Sequence, residues 1–209
     1  MIATEFDPAA EAALREMLDQ SRLFLLGETH GVLENPDIID TLFHRFEFSA
    51  LALEWDPGTE LRAPFRSLDG RVTIGHFELL QRLRRERRLA RLILFNAPGN
   101  GTWSGRDRAM AERLLAARQG GARTLVVAGN LHTPTRPHAH GHPMGARVAE
   151  AVPGTATGRI RYLGGEFFNF EVRRFRRPLF NRRRTARFYR RGEEFVYELP
   201  RAHAAQAEG

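Results

Sequence analysis

The chain has 209 residues, 42% hydrophobic and 27% charged, with a formal net charge of +7. That length and balance describe one domain, large enough to bury a core without covalent staples. With no cysteine, disulfides, thiolate metal sites and cysteine nucleophiles are excluded, and no apolar run reaches the roughly 18 residues of a membrane span.

Residues Met1 to Pro8 lack a basic segment followed by an apolar core, so the expected location is cytoplasmic, with no membrane partner. All 32 basic side chains are arginine, which reads as compositional bias more than selection for guanidinium chemistry. Ten arginines and no acid lie between Arg173 and Arg191; of the +7 total, +10 sits there and −3 on the other 190 residues.

In chain order, Glu5 to Gln20 reads as a helix, with Asp7 as N-cap, Pro8 in the first turn, and Leu14, Met17 and Leu18 on one face. Leu23 to His30 is a continuous apolar run ending in polar residues, the mark of a buried parallel strand. Ile38, Ile39, Leu42, Phe43 and Phe46 repeat at helical spacing. Ala50 to Asp56 is a second apolar strand ending in acids, closed by Pro57 and Gly58. A helix over Phe77–Arg88 leads to a third strand over Leu89–Phe95, then a loop from Asn96 to Gly105 and a helix over Arg106–Arg118. Thr124 to Ala128 is the fourth strand and ends at Gly129, Asn130, Leu131 and His132. From about Arg159 the pattern alternates, through Phe168, Phe170 and Val172, and a hairpin is predicted to turn at Arg191 and Gly192.

Apolar strands alternating with amphipathic helices predict an α/β fold with a mainly parallel sheet flanked by helices. The C-terminal strands are expected to be antiparallel and to extend the sheet edge. Residues 1–202 form the expected single domain, and 203–209 a frayed, disordered tail.

Ligands of open α/β sheets bind beyond the carboxyl ends of the strands. Three such ends carry reactive side chains here: Glu28 and His30, then Glu54 and Asp56, then Asn130 and His132. Imidazoles exchange protons near neutral pH and carboxylates orient them. The set suits either activation of water or capture of a divalent metal. His138, His140 and His142 also invite a metal reading, but Pro134, Pro137, Gly141 and Pro143 make that segment a loop over the cleft. Ser104 lacks the surrounding glycines of a nucleophile elbow, and the Asn100–Gly101 turn lacks the Gly-Lys-Ser/Thr ending of a phosphate loop.

The ordered motifs Gly27-Glu-Thr-His-Gly31, Leu53-Glu-Trp-Asp56, Arg106-Asp-Arg-Ala-Met110, Gly129-Asn-Leu-His132 and Pro143-Met-Gly145 resemble those of the erythromycin esterase-like superfamily. The same superfamily includes haem-binding uptake lipoproteins and Tiki/TraB-type proteases. The resemblance covers about two-thirds of the chain. It implies that His30 is a general base for water, oriented by Glu54 with Glu28 nearby. It implies that Arg106 faces the developing oxyanion and that His132 is the second acid or base. Trp55, Asp56, Trp103, Asn130 and Met144, within or beside these motifs, are the expected substrate contacts. Arg66–Arg88 is the one segment that could act as a helical insertion shaping the cleft.

The activity so implied is hydrolysis of an ester, lactone or amide of a small molecule, as in a tailoring enzyme of biosynthesis, with no cofactor or with a divalent metal. The alternative from the same superfamily is a non-hydrolytic carrier with His30 or His132 on a haem or metal-bearing ligand. A second alternative uses the arginine stretch, where Phe175, Phe180, Phe188 and Tyr189 interleave with charge, to hold nucleic acid. The reading preferred over it is a charged sheet edge that resists aggregation, with the rings turned inward.

Overall fold

The computed structural model describes residues 2–62, 64–65, 67–99, 101–118, 121–139, 141–176 and 184–205. The strands are β1 (Thr4–Phe6), β2 (Leu23–Glu28), β3 (Ala50–Leu53), β4 (Arg91–Leu94), β5 (Thr124–Gly129), β6 (Ala156–Tyr162), β7 (Glu166–Asn169), β8 (Glu171–Arg174), β9 (Ala186–Arg191) and β10 (Glu194–Leu199). The helices are α1 (Pro8–Ser21), α2 (Asn35–Arg45), α3 (Ile74–Arg85), α4 (Trp103–Ala117) and α5 (Met144–Ala151). Eight strands form one sheet in the order β1-β9-β10-β6-β2-β5-β3-β4, and β7 and β8 form a separate hairpin. The fold is α/β with a mainly parallel sheet, as the alternating pattern predicts.

Alternation along each strand divides the core into two layers. Phe24, Leu26, Leu51, Leu53, Leu125 and Val127 face α1, α2 and α3. Leu25, Ala52, Val126 and Ala128 face α4 and α5. Period-two side-chain direction thus buries both faces of β2, β3 and β5 under helices, which is why these strands read as unbroken apolar runs.

The caps follow local chemistry. The Asp7 side chain accepts from the Ala10 N–H at 2.9 Å, as its position before Pro8 predicts. Thr102 caps α4 through Gly105 N–H at 3.0 Å, so that helix starts earlier than the expected Arg106. Glu5 belongs to β1 and not to the first helix, because Thr4–Phe6 pairs with Ala186–Phe188 at the sheet margin. A three-residue strand leaves no period to detect. The eight-residue α5 also escapes the sequence reading, hidden behind a loop rich in proline and glycine.

The expected antiparallel C-terminal strands are present towards the sheet edge, where β9 pairs with β10, and β6 alone departs from that direction. β6 lies inside the eight-stranded sheet, parallel to both β2 and β10. Within that sheet only the β9–β10 pairing among the described residues is antiparallel, and the separate β7–β8 hairpin is antiparallel as well. The alternation along β6 reflects one-sided cover: Ala156, Gly158 and Ile160 face the core side, while Arg159 and Arg161 face outward, each beside a β10 glutamate. One uncovered face produces the same period as an antiparallel edge. The expected frayed tail is also corrected in part. His203 donates its N–H to Glu34, Ala204 bridges Val32, and Ala205 N–H reaches Gly31 O at 2.9 Å. Residues 206–209 lie outside the described set.

Candidate functional site

The crossovers locate a crevice. The loop after β2 runs to α2 on one face, whereas the loop after the adjacent β5 runs to α5 on the other. Outgoing loops that part in this way leave a crevice at the carboxyl ends. A cavity of about 440 Å³ opens there, lined by Glu28, His30, Glu54, Arg106 and His132 among others. The five side chains expected to act together are therefore gathered on one surface.

Each is placed by the pairing beneath it. Glu28 ends β2 opposite Gly129, which ends β5, and Glu54 follows β3 with its N–H still on Val127 O at 3.2 Å. Helix α4 adds Trp103, Arg106 and Asp107 from its first turns. Gly129 is the floor between the histidines, where a Cβ would stand 3.3 Å from His30 Nε2. Its N–H donates to Glu54 Oε2 at 2.9 Å.

Two imidazole–carboxylate pairs converge on Glu54. His30 Nδ1 is 3.1 Å from Glu28 Oε1, and its Nε2 is 3.8 Å from Glu54 Oε2. His132 Nδ1 is 2.7 Å from Asp107 Oδ1, and its Nε2 is 3.8 Å from Glu54 Oε1. Trp103 stacks on the His132 ring, centroids 4.8 Å apart. Glu54, only 3% exposed, also accepts from Arg106 Nη2 at 2.6 Å and has Arg71 Nη1 at 3.6 Å. Burial alone would raise the Glu54 pKa, but His30, His132, the Gly129 N–H and Arg106 hold it below the usual carboxylate value. Burial likewise opposes a charged His30. The hydrogen bond to Glu28 and the charges of Glu54 and Glu28 outweigh it, so its pKa is raised. Behind this pair, burial lowers the pKa of His76, whose Nδ1 is 2.8 Å from Thr73 Oγ1.

The assignments shift in detail. Glu28, not Glu54, holds His30 at Nδ1. Arg106 Nη2 is engaged by Glu54 and by Asn96 Oδ1, so the guanidinium braces the central carboxylate as well as charging the cavity. Asp107 is the residue in contact with the candidate site that the sequence reading missed. It is fully buried, and besides His132 it accepts the Met144 N–H at 2.9 Å. An acid one residue after an arginine on a helix looks solvated until the tertiary structure covers it. Asp107→Ala should cost about 2–3 kcal/mol, because it orphans a buried N–H and an imidazole. Urea unfolding measures this, and exposed Glu112→Ala on the same helix should stay within about 0.5 kcal/mol of wild type.

Of the expected substrate contacts, Trp103 and Asn130 line the cavity. Met144 does not: it is fully buried in the core beneath α4 and α5, and it serves through its backbone N–H. Trp55 is 2% exposed, donates Nε1–H to Arg71 O at 3.1 Å, and with Asp56 borders a neighbouring groove instead. Within the expected insertion, α3 is an ordinary crossover helix packed on the core, and only the loop carrying Asp69 and Arg71 reaches the cavity; Arg66 lies outside the described residues.

The His138–His142 loop does not converge on a point. His138 Nε2 bonds Leu131 O at 2.9 Å while His142 Nε2 faces Glu150 at 2.9 Å, and His140 is outside the described residues. Among the described residues, no three His, Asp or Glu side chains are grouped so as to hold a metal ion. Both site imidazoles have their Nδ1 atoms on carboxylates and their Nε2 atoms aimed at opposite oxygens of Glu54. No helix among the described residues is long and apolar enough to cross a membrane.

In the arginine stretch, Phe175 stacks on Tyr162 at 4.7 Å, and buried Phe188 stacks on Phe195 at 5.7 Å. Tyr189 donates its O–H to Glu198 at 3.2 Å. Arg173, Arg174 and Arg187 stand beside Glu171, Glu166 and Glu5. These rings serve the core and its margin and do not form an outward platform for bases. Phe180 and residues 177–183 lie outside the described set. Compared with profiles of known protein families, with curated proteins and with solved structures, the chain matches none.

Proposed function

We propose that the protein is a hydrolase that activates water with His30 to cleave an ester, lactone or amide of a small molecule, in the manner of the erythromycin esterase-like superfamily. One observation carries the reading. Two imidazoles, each held at Nδ1 by its own carboxylate, aim Nε2 at opposite oxygens of one buried carboxylate on the wall of a cavity. A base and an acid fixed on either side of one reacting centre are what acyl transfer to water needs.

In this reading neutral His30 Nε2 takes a proton as water attacks the carbonyl carbon. The oxygen that gains charge faces the Arg71 and Arg106 guanidiniums. His132, as the imidazolium, protonates the departing oxygen or nitrogen through Nε2. Glu28 and Asp107 fix the tautomers, and Glu54 stabilises positive charge on whichever ring bears it.

The raised His30 pKa sets the pH profile. A base must be neutral to act, so kcat/KM should rise with pH through a midpoint above the ordinary histidine value of 6.5. Glu28→Gln removes the partner that favours the imidazolium, so the midpoint should move to lower pH. Profiles with 4-nitrophenyl acetate measure this, and an unmoved acid limb would remove His30 from the base role. By the same sign, the protonated His30 stabilises the fold below about pH 6.5, and that contribution is lost as pH rises through its folded pKa.

A further inference from the structure

Beside the catalytic cavity lies a second groove of about 360 Å³. The two share Asp69, Arg71 and Phe170 as a common wall. Large apolar side chains at the surface are informative when they cluster. Seven stand exposed among the described residues, and five of them, Phe65, Leu68, Trp103, Leu131 and Phe170, line one or both of these spaces. Phe170 is the most telling. It is the tip of the β7–β8 hairpin, 67% exposed, with φ +59° in the left-handed region that a bulky side chain rarely adopts. Backbone strain of this kind persists where the surroundings fix it, and it collects at ligand-binding sites. The fixing bonds are present: Phe170 N–H donates to Leu68 O at 2.7 Å, and Phe168 N–H donates to Gly31 O at 2.9 Å. The wall between the spaces is built from two segments far apart in sequence, joined at the backbone.

We infer that the groove of Phe65, Leu68 and Phe170 is an acyl subsite, which takes an uncharged apolar arm of the substrate while its carbonyl sits between His30 and His132. Charge argues for a neutral arm. Asp69 is neutralised by Arg71 at 2.5 Å, which leaves the Asp56 carboxylate to repel an anionic end. The inference rests on the hydrolase reading and names the substrate class for it.

The test reads selectivity. With 4-nitrophenyl acetate, butyrate, hexanoate and octanoate, kcat/KM should rise about two- to fourfold per methylene that enters the groove. Phe170→Gly relieves the left-handed strain, so the variant should melt no lower than wild type. Its octanoate-to-acetate ratio should nevertheless fall at least tenfold, as should that of Leu68→Ser. Val172→Ser, on the same hairpin but lining neither space, should keep the wild-type ratio. Equal ratios in wild type, Phe170→Gly and Leu68→Ser would overturn the subsite and leave hydrolysis standing. A second series separates the two ideas. Binding of 2-hexanone, 2-octanone and 2-decanone, followed by tryptophan fluorescence, needs no turnover. Affinity that climbs with chain length in wild type but not in Phe170→Gly supports the subsite even if no ester is cleaved, and affinity independent of length overturns it.

Discussion

His30→Ala should lower hydrolysis of 4-nitrophenyl acetate about 10²- to 10⁴-fold, the range removed with a positioned general base. His132→Ala should fall in the same range where the leaving group needs a proton, and less for 4-nitrophenolate, which departs without one. The two effects should not add, since both rings act through Glu54, 3.8 Å from each. His30 lies on the cavity wall, so its loss should leave the cooperative urea transition in place. Wild type and His30→Ala hydrolysing esters, lactones and amides at equal rates would defeat the proposed function.

Gly31→Ala should destabilise the fold by about 3 kcal/mol or more. Gly31 has φ +72°, and a Cβ there would lie 1.8 Å from Phe168 O. Three segments meet at this residue. Its N–H donates to Gly70 O at 2.8 Å, and its carbonyl accepts from Phe168 and Ala205, each at 2.9 Å. The position after His30 therefore ties the loop that carries His30 to the 67–72 loop, the β7–β8 hairpin and the C-terminal segment. Gly101→Ala is the matched comparison, with φ +82° but nothing within 4 Å of the added carbon. It should carry only the left-handed penalty of about 1–2 kcal/mol. Urea unfolding of both variants measures the difference, and equal losses would mean that the contacts at Gly31 yield easily.

The sequence by itself determined the α/β class, the strands β2 to β5 and the edge on which chemistry gathers. Its signals there are local: unbroken apolar runs, helical spacing of Ile38 to Phe46, and polar residues where each run stops. Glu28, His30, Glu54, Arg106 and His132 were legible because each lies at the end of a strand, just past one, or in the first turn of a helix. Tertiary structure decided the rest. That Asp107 pairs with His132, and that Glu54 lies between the two imidazoles, depends on which elements neighbour which, and no period records that β5 inserts between β2 and β3. Met144 and Trp55 turned inward because helix packing, not motif membership, sets the facing of a side chain. β6 ran parallel inside the sheet although it alternates, since alternation reports cover on one face and is silent on direction. The apolar groove at Phe170 exists only because a hairpin and a loop about a hundred residues apart meet at Leu68, a contact set by long-range backbone pairing.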